Sequence, residues 1–233
     1  MSAREAVHFD VKAERQPMVI DYYFSVLSDW AYMGGERLER LARRYQVRID
    51  HKPMRLAAIY AGTGGILLQK RSKQRQEYRL VELKRWSEYL GIPVTLFPKY
   101  YPAADELASC TIIAAKHAGC DTGLLANAIL RAIWAEERDI SDGATLIKIA
   151  DGLGMDGARL VATSGKPETI AELDRNTKEA QERGVFGSPF YFFEDEIYWG
   201  QDRLQFLEDK IAEVTSSMVG LRVLIPDTQG VDR

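Results

Sequence analysis

The chain has 233 residues, of which 46% are hydrophobic and 28% charged, and these fractions are typical of a folded globular protein rather than a disordered or low-complexity chain. Its 31 basic and 34 acidic residues give a net charge of −3, which argues against a nucleic-acid partner. No apolar run approaches the ~18 residues of a membrane span. The first sixteen residues contain no apolar signal core, so we expect a cytoplasmic protein without a membrane partner.

The N-terminal part of the chain predicts a strand–helix–strand unit. Residues 1–17 are polar and aperiodic and predict a flexible arm. The β-branched and aromatic run 19–24 predicts a buried strand, the amphipathic pattern over 30–45 predicts a helix, and the alternation over 47–51 predicts a second strand. A unit of this length predicts parallel strands joined by a right-handed crossover.

The rest of the chain predicts a helical block followed by a hairpin. Gly62, Gly64 and Gly65 indicate a loop, and helices are predicted over 74–90, from Pro102 onward, over 121–137, over 144–153 with Asp142 as N-cap, and over 168–183. The segments 190–193 and 196–199 predict a hairpin, residues 203–216 a last helix, and residues 218–233 a flexible tail. The predicted fold is α/β, a thioredoxin-like fold with a large all-helical insertion. Its thioredoxin-like domain comprises 18–56 and 180–217, and the inserted helical domain comprises 57–179.

Two short segments carry groups suited to ligand binding. Ser28 lies between the first strand and its helix, so its hydroxyl either caps the helix or meets an anion at the free N–H groups there. Asp29 is an equally good cap and would leave that hydroxyl free. Ser188-Pro189 suits a cis peptide bond that would open the Ser188 N–H and C=O to an extended peptide, and a trans turn is the commoner alternative.

A third segment, Gly200-Gln201-Asp202, opens the last helix. Asp202 either stabilises the first helical turn or holds the ammonium group of a ligand. Aromatic side chains are expected mainly in the core, with a few near Ser28 forming a slot for a flat ring; they are Trp30, Tyr32, Trp86, Tyr100, Tyr101 and Trp134. The basic run 70–75 is expected to be a solvated face, with binding of a substrate carboxylate as the alternative.

The cysteines and histidines predict no metal site. The two cysteines, Cys110 and Cys120, are expected to be free thiols, and neither they nor the three histidines show metal-ligand spacing.

Three motifs resemble a known family. They are Asp21-Tyr22-Tyr23-Phe24 leading to Leu27-Ser28, Gly187-Ser188-Pro189, and the sequence WGQDRL at 199–204. Together they resemble the 2-hydroxychromene-2-carboxylate isomerases and the kappa-class glutathione transferases, relatives of the DsbA-like disulfide oxidoreductases. The resemblance runs from about residue 19 to about residue 211, and WGQDRL is closer to the isomerase branch.

The resemblance implies a thioredoxin fold that binds glutathione as cofactor, a homodimer, and a small aromatic carboxylate as substrate. Ser28 would hydrogen-bond the glutathione sulfur, at the position where the oxidoreductases have their nucleophilic cysteine. Ser188 would pair its backbone with the cysteinyl part of glutathione across cis-Pro189, and Gln201 and Asp202 would hold the γ-glutamyl end.

The implied reaction is the interconversion of 2-hydroxychromene-2-carboxylate, or a related aromatic catabolite, and trans-o-hydroxybenzylidenepyruvate. It proceeds by reversible thiolate addition, and glutathione is returned unchanged. Two positions depart from the family: Asp29 replaces a usual Pro, and Gly64-Gly65 offers no side-chain amide where an Asn commonly follows a Gly.

Two other functions stay open at this point. A kappa-like transferase or peroxidase would consume glutathione, whereas a non-catalytic thioredoxin-fold binding protein would hold a ligand without turnover. A dithiol oxidoreductase is disfavoured because residues 28–31 contain no cysteine.

Overall fold

A four-stranded mixed sheet forms the centre of the fold in the computed structural model, which describes residues 17–223. The strands are β1 (Val19–Phe24), β2 (Arg48–Pro53), β3 (Phe190–Phe193) and β4 (Glu196–Trp199), in the order β2-β1-β3-β4. β1 is parallel to β2 and antiparallel to β3, and β3 and β4 form the predicted hairpin. The predicted parallel pair, connected by a helix, is therefore confirmed.

The helices surround this sheet, and most of them come from the segment between β2 and β3. Their bounds are α1 Asp29–Tyr45, α2 Leu56–Thr63, α3 Lys73–Leu90, α4 Glu106–His117, α5 Thr122–Trp134, α6 Gly143–Gly152, α7 Gly157–Ser164, α8 Pro167–Glu182 and α9 Leu204–Val223. Short 3₁₀ turns cover Leu68–Lys70 and Gln201–Arg203. The thioredoxin-like fold with an all-helical insertion is confirmed.

Alternation along β1 gives the sheet two buried faces. Ile20, Tyr22 and Phe24 pack with side chains of α1, α4, α5 and α9 on one face. Tyr23 points to the opposite face, where it packs with Phe190 and residues of α2 and α8. Because helices cover both faces of the sheet, the sequence of β1 is a nearly continuous apolar run rather than an alternation of apolar and polar residues.

The structure corrects several predicted bounds. Gly62 lies within helix α2 (Leu56–Thr63) rather than in the predicted loop, and Gly64, in a left-handed conformation (φ 73°), is the C-cap of this helix. Helix α7 was not predicted, α5 ends at Trp134 rather than 137, and α9 continues to Val223, beyond the predicted end at 216. The remaining predicted arm and tail, residues 1–16 and 224–233, lie outside the described residues.

Candidate active site

Ser28 is the N-cap of α1, and its hydroxyl group both accepts and donates a hydrogen bond. Its backbone is extended (φ −83°, ψ 116°), and its Oγ accepts a hydrogen bond from the Ala31 N–H at 3.1 Å. The same hydroxyl donates to the Ser188 C=O at 3.1 Å. The prediction that Asp29 could cap the helix in its place is wrong, because the Asp29 carboxylate instead accepts from the Trp30 N–H and pairs with Arg79.

Ser188, in the turn before β3, is hydrogen-bonded to the segment that precedes α1. The Ser188–Pro189 bond is cis, as predicted. The Ser188 C=O is not open, however, since it accepts from Ser28, and the Ser188 Oγ accepts from the Ser25 N–H at 3.0 Å. Among the described residues, the Ser188 N–H has no acceptor, so one of the two predicted backbone groups is available for a ligand.

Gln201 is buried and fixed, whereas Asp202 lies at the surface. The Gly200 N–H donates to the Pro189 C=O at 3.0 Å, which ties this segment to the proline turn. Arg37 donates to the Gln201 side-chain oxygen at 2.5 Å and to its backbone C=O at 3.2 Å. The side-chain NH₂ of Gln201 is thereby left as a donor, while Asp202 pairs with Arg203 at 2.7 Å.

Two adjoining cavities bring these residues together. The first, which we call the Ser28 cavity, has a volume of about 310 Å³ and is lined by Ser28, Asp29, Tyr60, Arg71, Arg79 and Tyr101, among others. The second, the Gln201 cavity, measures about 330 Å³ and is lined by Trp86, Trp199, Gln201 and Asp202, among others. Trp30, Tyr60, Arg71 and Ser188 border both cavities, so every predicted site residue except Pro189 lines one or both of them.

A third, largely apolar cavity of about 260 Å³ adjoins the Ser28 cavity. Trp134 and Phe97 line it, and Arg79 and Tyr101 are among the residues that border both this cavity and the Ser28 cavity. The predicted aromatic slot is therefore present, with Trp30 and Tyr101 beside Ser28. Tyr32 instead belongs to the core, where its hydroxyl donates to the Pro93 C=O at 2.6 Å.

The Ser28 cavity contains one paired and one unpaired arginine. Arg79 Nε lies 2.5 Å from Asp29 Oδ2, and both side chains are about nine-tenths buried, with exposed fractions of 10% and 8%. Burial raises the pKa of Asp29, and the positive charge of Arg79 and the Trp30 N–H counteract that rise. Arg71 donates to the Ile66 C=O at 2.8 Å and, at 3.4 Å, to the Tyr60 hydroxyl; no described carboxylate lies within ion-pair distance of it.

Sequence reasoning missed Tyr60 and Arg79 and placed the basic run on a solvated face. Most of that run is exposed, but Arg71 borders both cavities. Gly65 lies directly against Tyr60, since a Cβ at that position would overlap the Tyr60 ring. Gly65 thus makes room for an aromatic wall of the Ser28 cavity.

The fold and this site define the class of the protein. Residues 19–212 match the family model described as a DSBA-like thioredoxin domain, and the chain belongs to that family. Within it, the chain is 30% identical over 211 residues to the 2-hydroxychromene-2-carboxylate isomerase of Pseudomonas putida, covering 84% of this chain and 96% of that relative. The resemblance to the isomerases is confirmed, and so is the expected enzyme class, an isomerase.

Two further comparisons agree with this placement. A solved structure of a 2-hydroxychromene-2-carboxylate isomerase superimposes with a TM-score of 0.77 and 27% identity, over 88% of this chain and 99% of that one. A more distant relative is glutathione S-transferase kappa 2 of Caenorhabditis elegans, 26% identical over 84% of this chain and 92% of its own.

No helix among the described residues is long and apolar enough to span a membrane.

Proposed function

We propose that the chain is a glutathione-dependent cis–trans isomerase that interconverts 2-hydroxychromene-2-carboxylate, or a related aromatic catabolite, and trans-o-hydroxybenzylidenepyruvate. The observation that carries this proposal is the Ser28 hydroxyl, which lies at the N-terminus of α1 and lines a cavity that adjoins the Gln201 cavity. No cysteine lines either cavity, so the thiol must come from a ligand.

The residues present fit glutathione. Within residues 17–223 the Ser188 N–H and the Gln201 side-chain NH₂ have no acceptor, so they are donors suited to peptide and carboxylate oxygens. Asp202 is a carboxylate at the rim suited to an ammonium group. When bound, glutathione supplies a thiol that adds reversibly to the conjugated double bond of the ring-opened substrate, which permits rotation about that bond.

Ser28 activates and orients that sulfur through an exchange of partners. A ligand N–H can replace the Ser28 hydroxyl as the donor to the Ser188 C=O, and the hydroxyl can then donate its hydrogen bond to the sulfur instead. The dipole of α1, which begins beside Ser28, further favours a negative charge there. One exchange therefore binds the cysteinyl backbone and stabilises the thiolate.

Arg71 is the group we assign to the substrate carboxylate. It borders both cavities, and within the described part of the chain its guanidinium has only a carbonyl and a phenol as partners. An arginine without a carboxylate partner binds a substrate carboxylate with two parallel hydrogen bonds, which fixes the orientation of the substrate as well as its position. Tyr60 and Tyr101 provide the adjacent walls for the aromatic ring.

The test is turnover of the purified protein on 2-hydroxychromene-2-carboxylate, with and without glutathione, followed by the ultraviolet spectrum. We expect interconversion only with glutathione, and an unchanged amount of glutathione after many turnovers. Ser28→Ala should abolish most of the activity, whereas Ser216→Ala, at an exposed site on α9, should leave it unchanged. Isomerisation at the same rate without glutathione would contradict the proposal.

A transferase of the kappa kind is the second candidate, and the distant relatives of that name favour it. The same assay separates the two functions, because a transferase or peroxidase consumes glutathione in proportion to product. We also propose a homodimer, as implied by the family resemblance. Sedimentation velocity should give about twice the 26.4 kDa chain mass, and a monomer mass at the assay concentration would contradict this.

A further inference from the structure

Asp29 introduces a buried negative charge beside the place where Ser28 would hold a thiolate. The two residues are adjacent at the start of α1, and their side chains line the same cavity. A like charge close to a thiolate disfavours its ionisation. An isolated Asp29 would therefore oppose the activation that Ser28 provides.

Arg79 removes this conflict. Its guanidinium is bound to the Asp29 carboxylate and lies 5.4 Å from the centre of the Trp134 ring, so it is fixed between an anion and an aromatic face. It reaches Asp29 from α3, fifty positions along the chain, and it borders the Ser28 cavity. We propose that Arg79 is a positioning residue that neutralises Asp29 and thereby permits a thiolate beside Ser28.

This inference rests on the proposed function, because it concerns the sulfur of bound glutathione. It also explains how an acidic residue is tolerated where the family usually has Pro. The other charged or titratable groups that border the same cavity are Tyr60 on α2, Arg71 before α3, and Tyr101 and Asp105 before α4. None of these is hydrogen-bonded to the Asp29 carboxylate, so Arg79 is its sole side-chain partner among the described residues.

The ion pair also has a structural role, which the experiment must separate from the electrostatic one. Leu83 is the single buried residue of α3, so the Arg79–Asp29 contact helps to attach this helix to α1. A purely structural contact would make both single substitutions destabilising and would leave the thiol pKa unaffected. An electrostatic role makes the two substitutions shift that pKa in opposite directions.

The experiment measures the thiol pKa of glutathione bound to the protein, from the thiolate absorbance in the ultraviolet as a function of pH. We expect Arg79→Met to raise this pKa by about one unit or more, because the Asp29 charge is then unpaired. Asp29→Asn should lower it, because the Arg79 charge is then unpaired. In the double variant Asp29→Asn/Arg79→Met and in the conservative variant Arg79→Lys, the thiol pKa should stay within about 0.3 unit of its value in the parent.

Lys84→Met is the matched control. It removes one positive charge from the exposed face of the same helix, where Lys84 faces Glu88, and it should leave the thiol pKa unchanged. Thermal unfolding of each variant reports the structural contribution separately. If Arg79→Met does not fold, the proposal is still tested by the other two variants: Asp29→Asn should lower the thiol pKa, and Arg79→Lys should leave it at the parent value.

The outcomes distinguish this inference from the function on which it rests. Failure of the parent protein to bind glutathione refutes the proposed function and this inference with it. A second outcome is that the parent binds glutathione and lowers its thiol pKa, but both single variants either keep that pKa or shift it in the same direction. This outcome refutes the role of Arg79 and leaves the proposed function intact.

Discussion

The Ser28 hydroxyl has two separable effects on a thiol: it can lower the pKa, and it can fix the position of the sulfur. A free thiol with a pKa of about 8.5 is about 3% ionised at neutral pH, and lowering its pKa by two units requires about 2.7 kcal/mol. A hydrogen bond to a charged group contributes about 1.5–3 kcal/mol and a helix N-terminus about 0.3–1. The helix N-terminus is present at Ser28, and together with the proposed hydrogen bond from the Ser28 hydroxyl to the sulfur it would make the activation energetically feasible.

In the proposed reaction, orientation of the sulfur should contribute more than activation. A two-unit decrease in pKa gives roughly 25-fold more thiolate, but the weaker nucleophile retains only about a threefold net gain. We therefore predict that Ser28→Ala loses activity at neutral pH by far more than threefold, and that most of this loss persists near pH 9, where the thiol ionises without help. The measurement is kcat/KM against pH for both proteins. Full recovery at high pH would show that Ser28 only activates the thiol.

The two cysteines differ in reactivity, and neither contributes to the site. Cys110 is buried in α4, and burial raises its pKa to about 11, whereas Cys120 is partly exposed. We predict that a thiol reagent modifies one equivalent in the folded protein, that this reaction disappears in Cys120→Ser, and that Cys110 reacts only after unfolding. Isomerase activity should survive in Cys120→Ser. Loss of activity on that substitution would contradict the proposal that the attacking thiol comes from a ligand.

At the scale of elements, the hairpin and the turn before it form one wall of the Gln201 cavity. Gly187 lies just before the Ser188–Pro189 turn, and a Cβ at this position would overlap the Trp199 indole at the end of β4. Trp199 also contacts Phe186 edge to face, with ring centres 4.8 Å apart. The indole position therefore depends on the absence of a side chain at Gly187.

We predict that Gly187→Ala displaces Trp199 and weakens glutathione binding by about twofold to tenfold, the equivalent of about 0.5–1.5 kcal/mol of aromatic contact. Titration calorimetry measures this directly. Gly165→Ala is the control, because a Cβ there meets no atom within 4 Å. Equal affinities for Gly187→Ala and the parent would show that the indole does not contribute to the binding site.

The elements that could be predicted from sequence are those whose side-chain pattern is local. The aromatic run of β1 and the Asp142 cap of α6 lie where predicted, and α8 lies within one residue of its predicted bounds. Helix α2 was missed because its apolar residues follow no amphipathic period and its end is rich in glycine. The Asp29–Arg79 pair was missed because a contact between residues fifty positions apart does not produce a periodic pattern in the sequence.

At the scale of the whole molecule, a charged network connects the sheet to the inserted helices. Lys52 at the end of β2 is buried and lies 2.7 Å from Glu179 on α8, 3.4 Å from Asp21 on β1 and 3.7 Å from Asp50. Lys116 on α4 lies 2.7 Å from Asp50. Removal of one partner from such a partly buried network leaves the opposite charges less fully compensated, which is more costly than the loss of an exposed pair.

Asp50 makes this network sensitive to acid. Burial by itself raises the pKa of Asp50, but the hydrogen bond and charge of Lys116, together with Lys52, outweigh that effect and hold the pKa below its usual value. A carboxyl group with a lowered pKa in the folded state stabilises the fold above its unfolded pKa of about 3.9 and loses that contribution as the pH falls through the folded value. The contribution of Asp50 is therefore complete at neutral pH and lost in acid.

We predict that Asp50→Asn lowers the free energy of unfolding by about 1–2 kcal/mol at neutral pH and by less near pH 3, because the Asp50 carboxyl group of the unfolded parent chain, with a pKa of about 3.9, is then already largely protonated. Urea unfolding at both pH values measures the difference. Asp209→Asn, at an exposed position on α9, is the matched control and should change stability little at either pH. If Asp50→Asn destabilises the protein equally at both pH values, its effect comes from packing, and the ion-pair network does not couple the sheet to α4 and α8.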